Sequence, residues 1–192
     1  MKIGLLGGTF NPIHVGHLAL AAECCSRLIL DKVLFIPAYV PPHKEMEGDA
    51  SALDRLNMVR LALGKDKRYE ASAYEIDCGR TSYSIDTIRY FKKTYLTETN
   101  FFFLTGADVA EELSTWKDVD KILGLTTFVV ASRPGWKELT SYEQKIKRLE
   151  IPPVKVSSSV IRDMIRRGKD VSNLIPAEVL QYIQRHGLYR RR

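Results

Sequence analysis

The feature that narrows the fold of this chain most is an alternation that runs almost from end to end. Short apolar runs, too short for core helices, are each followed by a helix-forming or amphipathic run. Met1–Leu6, Lys32–Ile36, Phe101–Leu104 and Thr127–Ala131 read as buried strands, with Tyr69–Asp77 and Pro153–Val156 as two more. Between them the spacing predicts helices near His17–Leu30, Ser84–Tyr95, Trp116–Leu123 and Thr140–Glu150, with Ser158–Arg167 and Pro176–His186 closing the chain. Ser51 and Asp54 form a capping-box pair that opens a further helix, which Gly64 ends after Leu63. Repeated strand-then-helix units imply parallel pairing, right-handed crossovers and helices on both faces. The expectation is a Rossmann-like, doubly wound α/β sheet with C-terminal helices, in one domain over residues 1–192.

In such a sheet ligands lie at the carboxyl ends of the strands, near the point where strand order reverses. The first strand runs into Gly7-Gly8-Thr9-Phe10-Asn11-Pro12-Ile13-His14-Val15-Gly16-His17. Two glycines let the backbone turn sharply and approach a ligand closely. Strand, glycine turn and helix start, in that order, bind phosphate through free N–H groups and the helix dipole. His14 and His17 stand at that helix start, where each can donate to a phosphate oxygen. Gly106-Ala107-Asp108 opens a short helix after a predicted strand, and Arg133 follows another, so both should converge on the same edge.

Composition sets limits. At 192 residues and 45% hydrophobic content the chain can bury a real core. A net charge of +6 calls for an anionic partner, nucleic acid or a polyphosphate nucleotide alike. Three cysteines cannot all pair, Cys24 and Cys25 are adjacent, and none is spaced as a zinc ligand. No apolar run approaches the roughly 18 residues of a membrane span, and the N-terminus does not read as a signal peptide. A cytoplasmic protein is expected, with no membrane partner.

The eleven-residue stretch from Gly7 resembles the signature of the bacterial nicotinate-nucleotide adenylyltransferases, G-G-T-F-[DN]-P-[IVP]-H-x-G-H, to which the H-x-G-H of class I aminoacyl-tRNA synthetases is related. Val156-Ser157-Ser158-Ser159-Val160-Ile161-Arg162 resembles the family's second signature, I-S-S-[TS]-x-I-R. Pro41-Pro42-His43-Lys44, Ser82-Tyr83-Ser84 with Thr87, Gly106-Ala107-Asp108, Trp116 and Arg133-Pro134-Gly135 match further family segments. With the C-terminal Leu174-Ile175-Pro176 and Gly187-Leu188-Tyr189, the likeness covers nearly the whole chain.

The resemblance implies a nucleotidyltransferase-type fold that transfers AMP from ATP to nicotinate mononucleotide, giving deamido-NAD and pyrophosphate in NAD synthesis. It implies ATP contacts from Gly7, Gly8, Thr9, Phe10, His14, His17, Gly106, Asp108, Arg133, Ser158, Ser159 and Arg162. Thr9, Lys44, Tyr83, Ser84, Trp116 and Lys117 would meet the mononucleotide, Trp116 by stacking on its pyridine ring. His14 and His17 would stabilise the transition state, and Arg162 and Lys44 would hold the leaving pyrophosphate. Either Ser82 or Ser84 would cap the helix that starts there, and either Ser158 or Ser159 the one that carries Arg162. Asp108 could take a ribose hydroxyl, reach metal indirectly, or cap its helix. Lys117 departs from the aromatic residue common after the family's tryptophan, and its ammonium could pair with the nicotinate carboxylate.

Mg²⁺ is expected to arrive with ATP rather than at a resident metal site. Partners are ATP and nicotinate mononucleotide and no nucleic acid, with a homo-oligomer left open. The alternatives are a nicotinamide-mononucleotide or phosphopantetheine adenylyltransferase of the same fold, or a non-catalytic nucleotide-binding protein. A tRNA synthetase would need an anticodon-binding domain, for which the chain has no room.

Overall fold

The computed structural model of the chain describes residues 1–42, 48, 50–95, 98–110, 112–132, 135 and 142–190. Its strands are β1 (Lys2–Gly8), β2 (Lys32–Pro37), β3 (Tyr69–Ala71), β4 (Asn100–Gly106), β5 (Thr127–Ser132) and β6 (Ile146–Glu150). They form one sheet in the order β3-β2-β1-β4-β5-β6, and every pairing is parallel. The order reverses between β1 and β4, so the crevice above these two strands is the ligand-binding edge of such a sheet.

Alternating side chains divide the core into two layers. Ile3 and Leu5 of β1, Leu34 and Ile36 of β2, Phe101 and Phe103 of β4, and Phe128 and Val130 of β5 face one side. Their neighbours Leu6, Val33, Phe35, Leu104, Val129 and Ala131 face the other. Helices α1 (Val15–Leu28) and α2 (Ala52–Leu63) cover the second layer. A short α3 (Tyr74–Cys78) precedes α4 (Ser84–Thr94), which buries Ile85, Ile88 and Phe91 on the first layer at helical spacing. The four-residue α5 (Ala107–Ala110) and α6 (Val119–Leu125) follow β4, and α7 (Ser158–Arg166) and α8 (Ala177–His186) close the second layer. The Ser51–Asp54 capping box is present in both directions, and Gly64 and Gly187 end their helices at positive φ.

Four elements differ from the sequence expectations. Of the expected helix Thr140–Glu150, residues 140 and 141 lie outside the described residues; the rest is a 3₁₀ turn, Glu143–Lys145, leading into β6. The charges of Lys147, Arg148 and Glu150 read as a solvated helix face, but here they lie exposed along an edge strand, a usual guard against edge-to-edge association. Pro153–Val156 is irregular rather than a strand: Pro152 and Pro153 take two backbone donors from any further ladder. The strand expected over Tyr69–Asp77 stops at Ala71, where the Ser72 hydroxyl accepts the Tyr74 N–H and turns the chain into α3. Trp116 precedes α6 rather than lying inside it.

Candidate active site

The glycine turn leaves β1 at the reversal point, as the sequence implied. Phe10 takes a left-handed φ of 48°, and the Asn11–Pro12 peptide bond is cis. The Phe10 ring is 1% exposed, lying under Gly8 and edge-on to His17 at 5.0 Å. Gly7 and Gly8 are the last residues of β1 rather than the turn itself, and a Cβ on Gly8 would come within 3.1 Å of the Phe10 ring, a tight fit. The Phe10 side chain is thus core beneath the turn, so the ATP contact expected of this residue is left to its backbone.

Helix α1 starts two residues earlier than expected, with His14 as its N-cap residue. The rings of His14 and His17 stack at 3.7 Å. The His14 N–H donates to His17 Nδ1 at 3.2 Å, which leaves the His17 proton on Nε2. Burial lowers the His14 pKa to about 4. Burial, then repulsion from His14, holds His17 well below its ordinary value. Both rings are thus neutral at pH 7, as hydrogen-bond donors rather than cations. Gly16 lies against them: a Cβ there would stand 2.9 Å from Val156 Cγ1 and 3.0 Å from His14 Nδ1.

Beside the turn opens a cavity of about 290 Å³. Gly7, Gly8 and Thr9 line it, together with Tyr83 and Ser84 at the start of α4. Asp108, Trp116 and Lys117 line it as well. Trp116 is half-buried and edge-on to Phe103 (5.6 Å) and Phe128 (5.9 Å), so it is both core and wall. The exposed Lys117 holds its Nζ 4.4 Å from the Tyr83 ring centroid, a cation–π contact at the rim. Asp108 stands exposed within α5, not at its N-cap position. Neither Ser82 nor Ser84 caps α4, whose N-cap residue is Tyr83; the Ser82 hydroxyl instead accepts the Tyr39 N–H.

The second signature reaches the back of the turn. Ser157, rather than Ser158 or Ser159, caps α7 and accepts the Val160 N–H. Ser158 Oγ donates to the Pro12 carbonyl at 2.9 Å, and Ser159 Oγ pairs with Ser157 Oγ. Arg162 is 6% exposed, and its Nη1 donates to the Asn11 carbonyl at 2.8 Å. Tyr189, 178 residues from Asn11, donates its hydroxyl to Asn11 Oδ1 at 2.6 Å. Gly106 ends β4 at the reversal point. Lys44 and Arg133 lie outside the described residues.

Sequence reasoning missed three contributors: Arg55, Glu75 and Tyr189. Arg55 shares the buried stripe of α2 with Met58 and Val59, three and four residues on, and a charge on such a stripe was the available signal. Glu75 was hidden by the strand reading of its segment. Among the described residues no group of three His, Cys, Asp or Glu stands together to hold a metal ion, and no helix is long and apolar enough to cross a membrane.

A parallel 3-2-1-4-5-6 sheet with a glycine turn, a histidine pair and a cavity at its reversal point defines a nucleotide-binding α/β class. Accordingly, residues 5–164 match the family model described as cytidylyltransferase-like. A protein of Halalkalibacterium halodurans described as "probable nicotinate-nucleotide adenylyltransferase" is 42% identical over 190 residues, covering 98% of this chain and 91% of its own. One of Bacillus cytotoxicus with the same description is 41% identical over 188 residues, 98% of each chain. The Plasmodium falciparum nicotinic acid mononucleotide adenylyltransferase complexed with NaAD shares the fold, with a TM-score of 0.80 at 18% identity over 98% of this chain and 97% of that one. The chain belongs to the cytidylyltransferase-like family and, within it, to the nicotinate-nucleotide adenylyltransferases.

Proposed function

We propose that the protein transfers the AMP moiety of ATP to the 5′-phosphate of nicotinate mononucleotide, releasing pyrophosphate and forming nicotinate adenine dinucleotide. The observation that carries this reading is the cavity itself: its Tyr83–Ser84, Trp116 and Lys117 walls adjoin the glycine turn, which leads into the histidine pair. The names of the family relatives point the same way.

The chemistry asks little covalent work of the protein. A phosphate oxygen of the mononucleotide attacks the α-phosphorus, and the bond to the pyrophosphate oxygen breaks. That phosphate is already largely ionised near neutral pH, so no general base is needed. What remains is to align two polyanions and stabilise charge as it shifts toward the leaving group. His17, with its proton on Nε2, and the neutral His14 suit hydrogen-bond donation to the ATP phosphates. Gly7 and Gly8 at the end of β1 and Thr9 after it let the ligand approach the backbone closely, and the N-terminus of α7 at Ser158 and Ser159 adds a dipole of the right sign. Lys44 and Arg162 are assigned to the leaving pyrophosphate, and Arg133 and Gly106 to the adenosine half. Trp116 offers a π face to the pyridine ring, and Ser84 and Lys117 the donors for its carboxylate.

Mg²⁺ is assigned to the ATP phosphates and water, neutralising phosphate charge. The exposed carboxylates on the cavity wall, Asp108 and Glu112, fit an indirect contact to such an ion through water. The test is pyrophosphate release with ATP and Mg²⁺, comparing nicotinate mononucleotide with its nicotinamide counterpart. Turnover with the acid and little with the amide is expected. Equal turnover would move the reading to dual specificity, and none with either would overturn it.

A further inference from the structure

Behind the cavity wall lies a polar network that none of the assigned roles uses. Arg55 of α2 is 1% exposed and does not line the cavity. Its Nη1 donates to two carbonyls, Thr9 at 2.8 Å and Ala38 at 2.6 Å, and its Nη2 to Tyr39 at 3.0 Å. Thr9 belongs to the glycine turn after β1, whereas Ala38 and Tyr39 begin the segment after β2. One guanidinium thus ties together the exits of two adjacent parallel strands. The network continues to α4: the Tyr39 N–H donates to Ser82 Oγ at 2.9 Å, and the Ser82 N–H to the Val40 carbonyl at 2.9 Å. Glu75, 8% exposed, accepts from the Thr87 hydroxyl. Thr9, Ala38, Ser82 and Glu75 all line the cavity.

We propose that Arg55 is a positioning residue that forms the mononucleotide half of the cavity before substrate arrives, by clamping the glycine turn to the β2 exit and, through Tyr39 and Ser82, to the start of α4. The physical need is plain. The chain leaves β1 at Thr9 and turns at Phe10, which holds a left-handed φ of 48°, and such a turn must be held from outside if the cavity wall it forms is to keep its shape. A buried cation is costly to desolvate, and here three oriented carbonyl dipoles meet it through charge-assisted hydrogen bonds. Only a planar fork reaches all three; a lysine keeps the charge and loses the geometry.

This inference rests on the mononucleotide reading of the cavity, and its test separates the two. Hydrogen exchange on the ligand-free protein comes first, comparing Arg55→Lys with the native chain. Amides of residues 8–11 and 38–40 should exchange about tenfold faster while those of β4 and β5 keep their rates. Steady-state kinetics follow, with activity counted per folded molecule. The KM for nicotinate mononucleotide should rise about tenfold or more, and that for ATP, whose phosphates meet the same turn, by a smaller factor. Ser82→Ala, which cuts the same network without touching the buried charge, should raise the same KM by a smaller factor. Unchanged local exchange in Arg55→Lys overturns the proposal whatever the substrate is. So does an equal rise in both KM values, which a purely structural role would give. A native protein inactive with either mononucleotide overturns the substrate reading instead, and the exchange result still decides the role of Arg55.

Discussion

Acidification from pH 7.5 to 5 should weaken the fold, and His14 should account for a measurable share of the loss. The ring is buried, stacked on His17 and without a hydrogen-bond partner for Nδ1 among the described residues. Burial lowers its pKa from 6.5 to about 4. A base with a lower pKa in the folded state binds fewer protons there than in the unfolded chain. Its contribution is therefore fully present above about pH 6.5 and is lost as the pH falls toward 4. From those two values, His14 alone removes about 2 kcal/mol by pH 5 and about 3 kcal/mol below pH 4. His17 acts in the same direction, since burial and a charged His14 hold it down as well. Glu75 acts oppositely: burial raises its carboxyl pKa, so the folded state keeps that proton to higher pH and gains stability as the pH falls. Comparing the native chain with His14→Gln cancels the Glu75 contribution. Urea unfolding at pH 7.5 and pH 5 should give a native chain about 2 kcal/mol more pH-sensitive than the variant. Equal losses in the two proteins would refute the reasoning that desolvation governs this pair.

Three further substitutions have defined outcomes. Gly16→Ala places a Cβ 2.9 Å from Val156 Cγ1 and 3.0 Å from His14 Nδ1; urea titration should show a loss of about 1–3 kcal/mol, with kcat falling more than KM rises. Tyr189→Phe removes the hydroxyl donated to Asn11 Oδ1 and should cost about 1–2 kcal/mol in the same titration. Trp116→Ala removes the π face from the cavity wall and should raise the KM for the mononucleotide about tenfold, with the KM for ATP nearly unchanged in initial-rate measurements.

Much of the architecture was legible because parallel strands buried on both faces must be apolar throughout. Phe101–Leu104 and Thr127–Ala131 announce themselves in that way. The charged edge strand β6 was not legible, since Lys147, Arg148 and Glu150 imitate a solvated helix and only its half-buried Ile146 and Leu149 mark it as sheet. The turn and the cavity followed from motifs whose residues lie close in sequence. The supports beneath them did not, because they act across the chain: Arg55 meets Thr9 over 46 residues and Tyr189 meets Asn11 over 178. Local pattern carries no record of such distances. The cap of α7 was expected at Ser158 or Ser159 rather than Ser157 because three serines in a row are chemically equivalent until Ser158 is seen donating to Pro12.

The proposed mechanism rests on a neutral histidine at the start of α1, His17, stabilising the transition state by donation from Nε2. The most direct test is His17→Ala at saturating ATP and nicotinate mononucleotide, with ATP affinity measured separately by titration. The fall expected in kcat is about 10²–10³, with ATP affinity within about threefold of the native value. Undiminished turnover, or a loss explained wholly by weaker ATP binding, would contradict the mechanism.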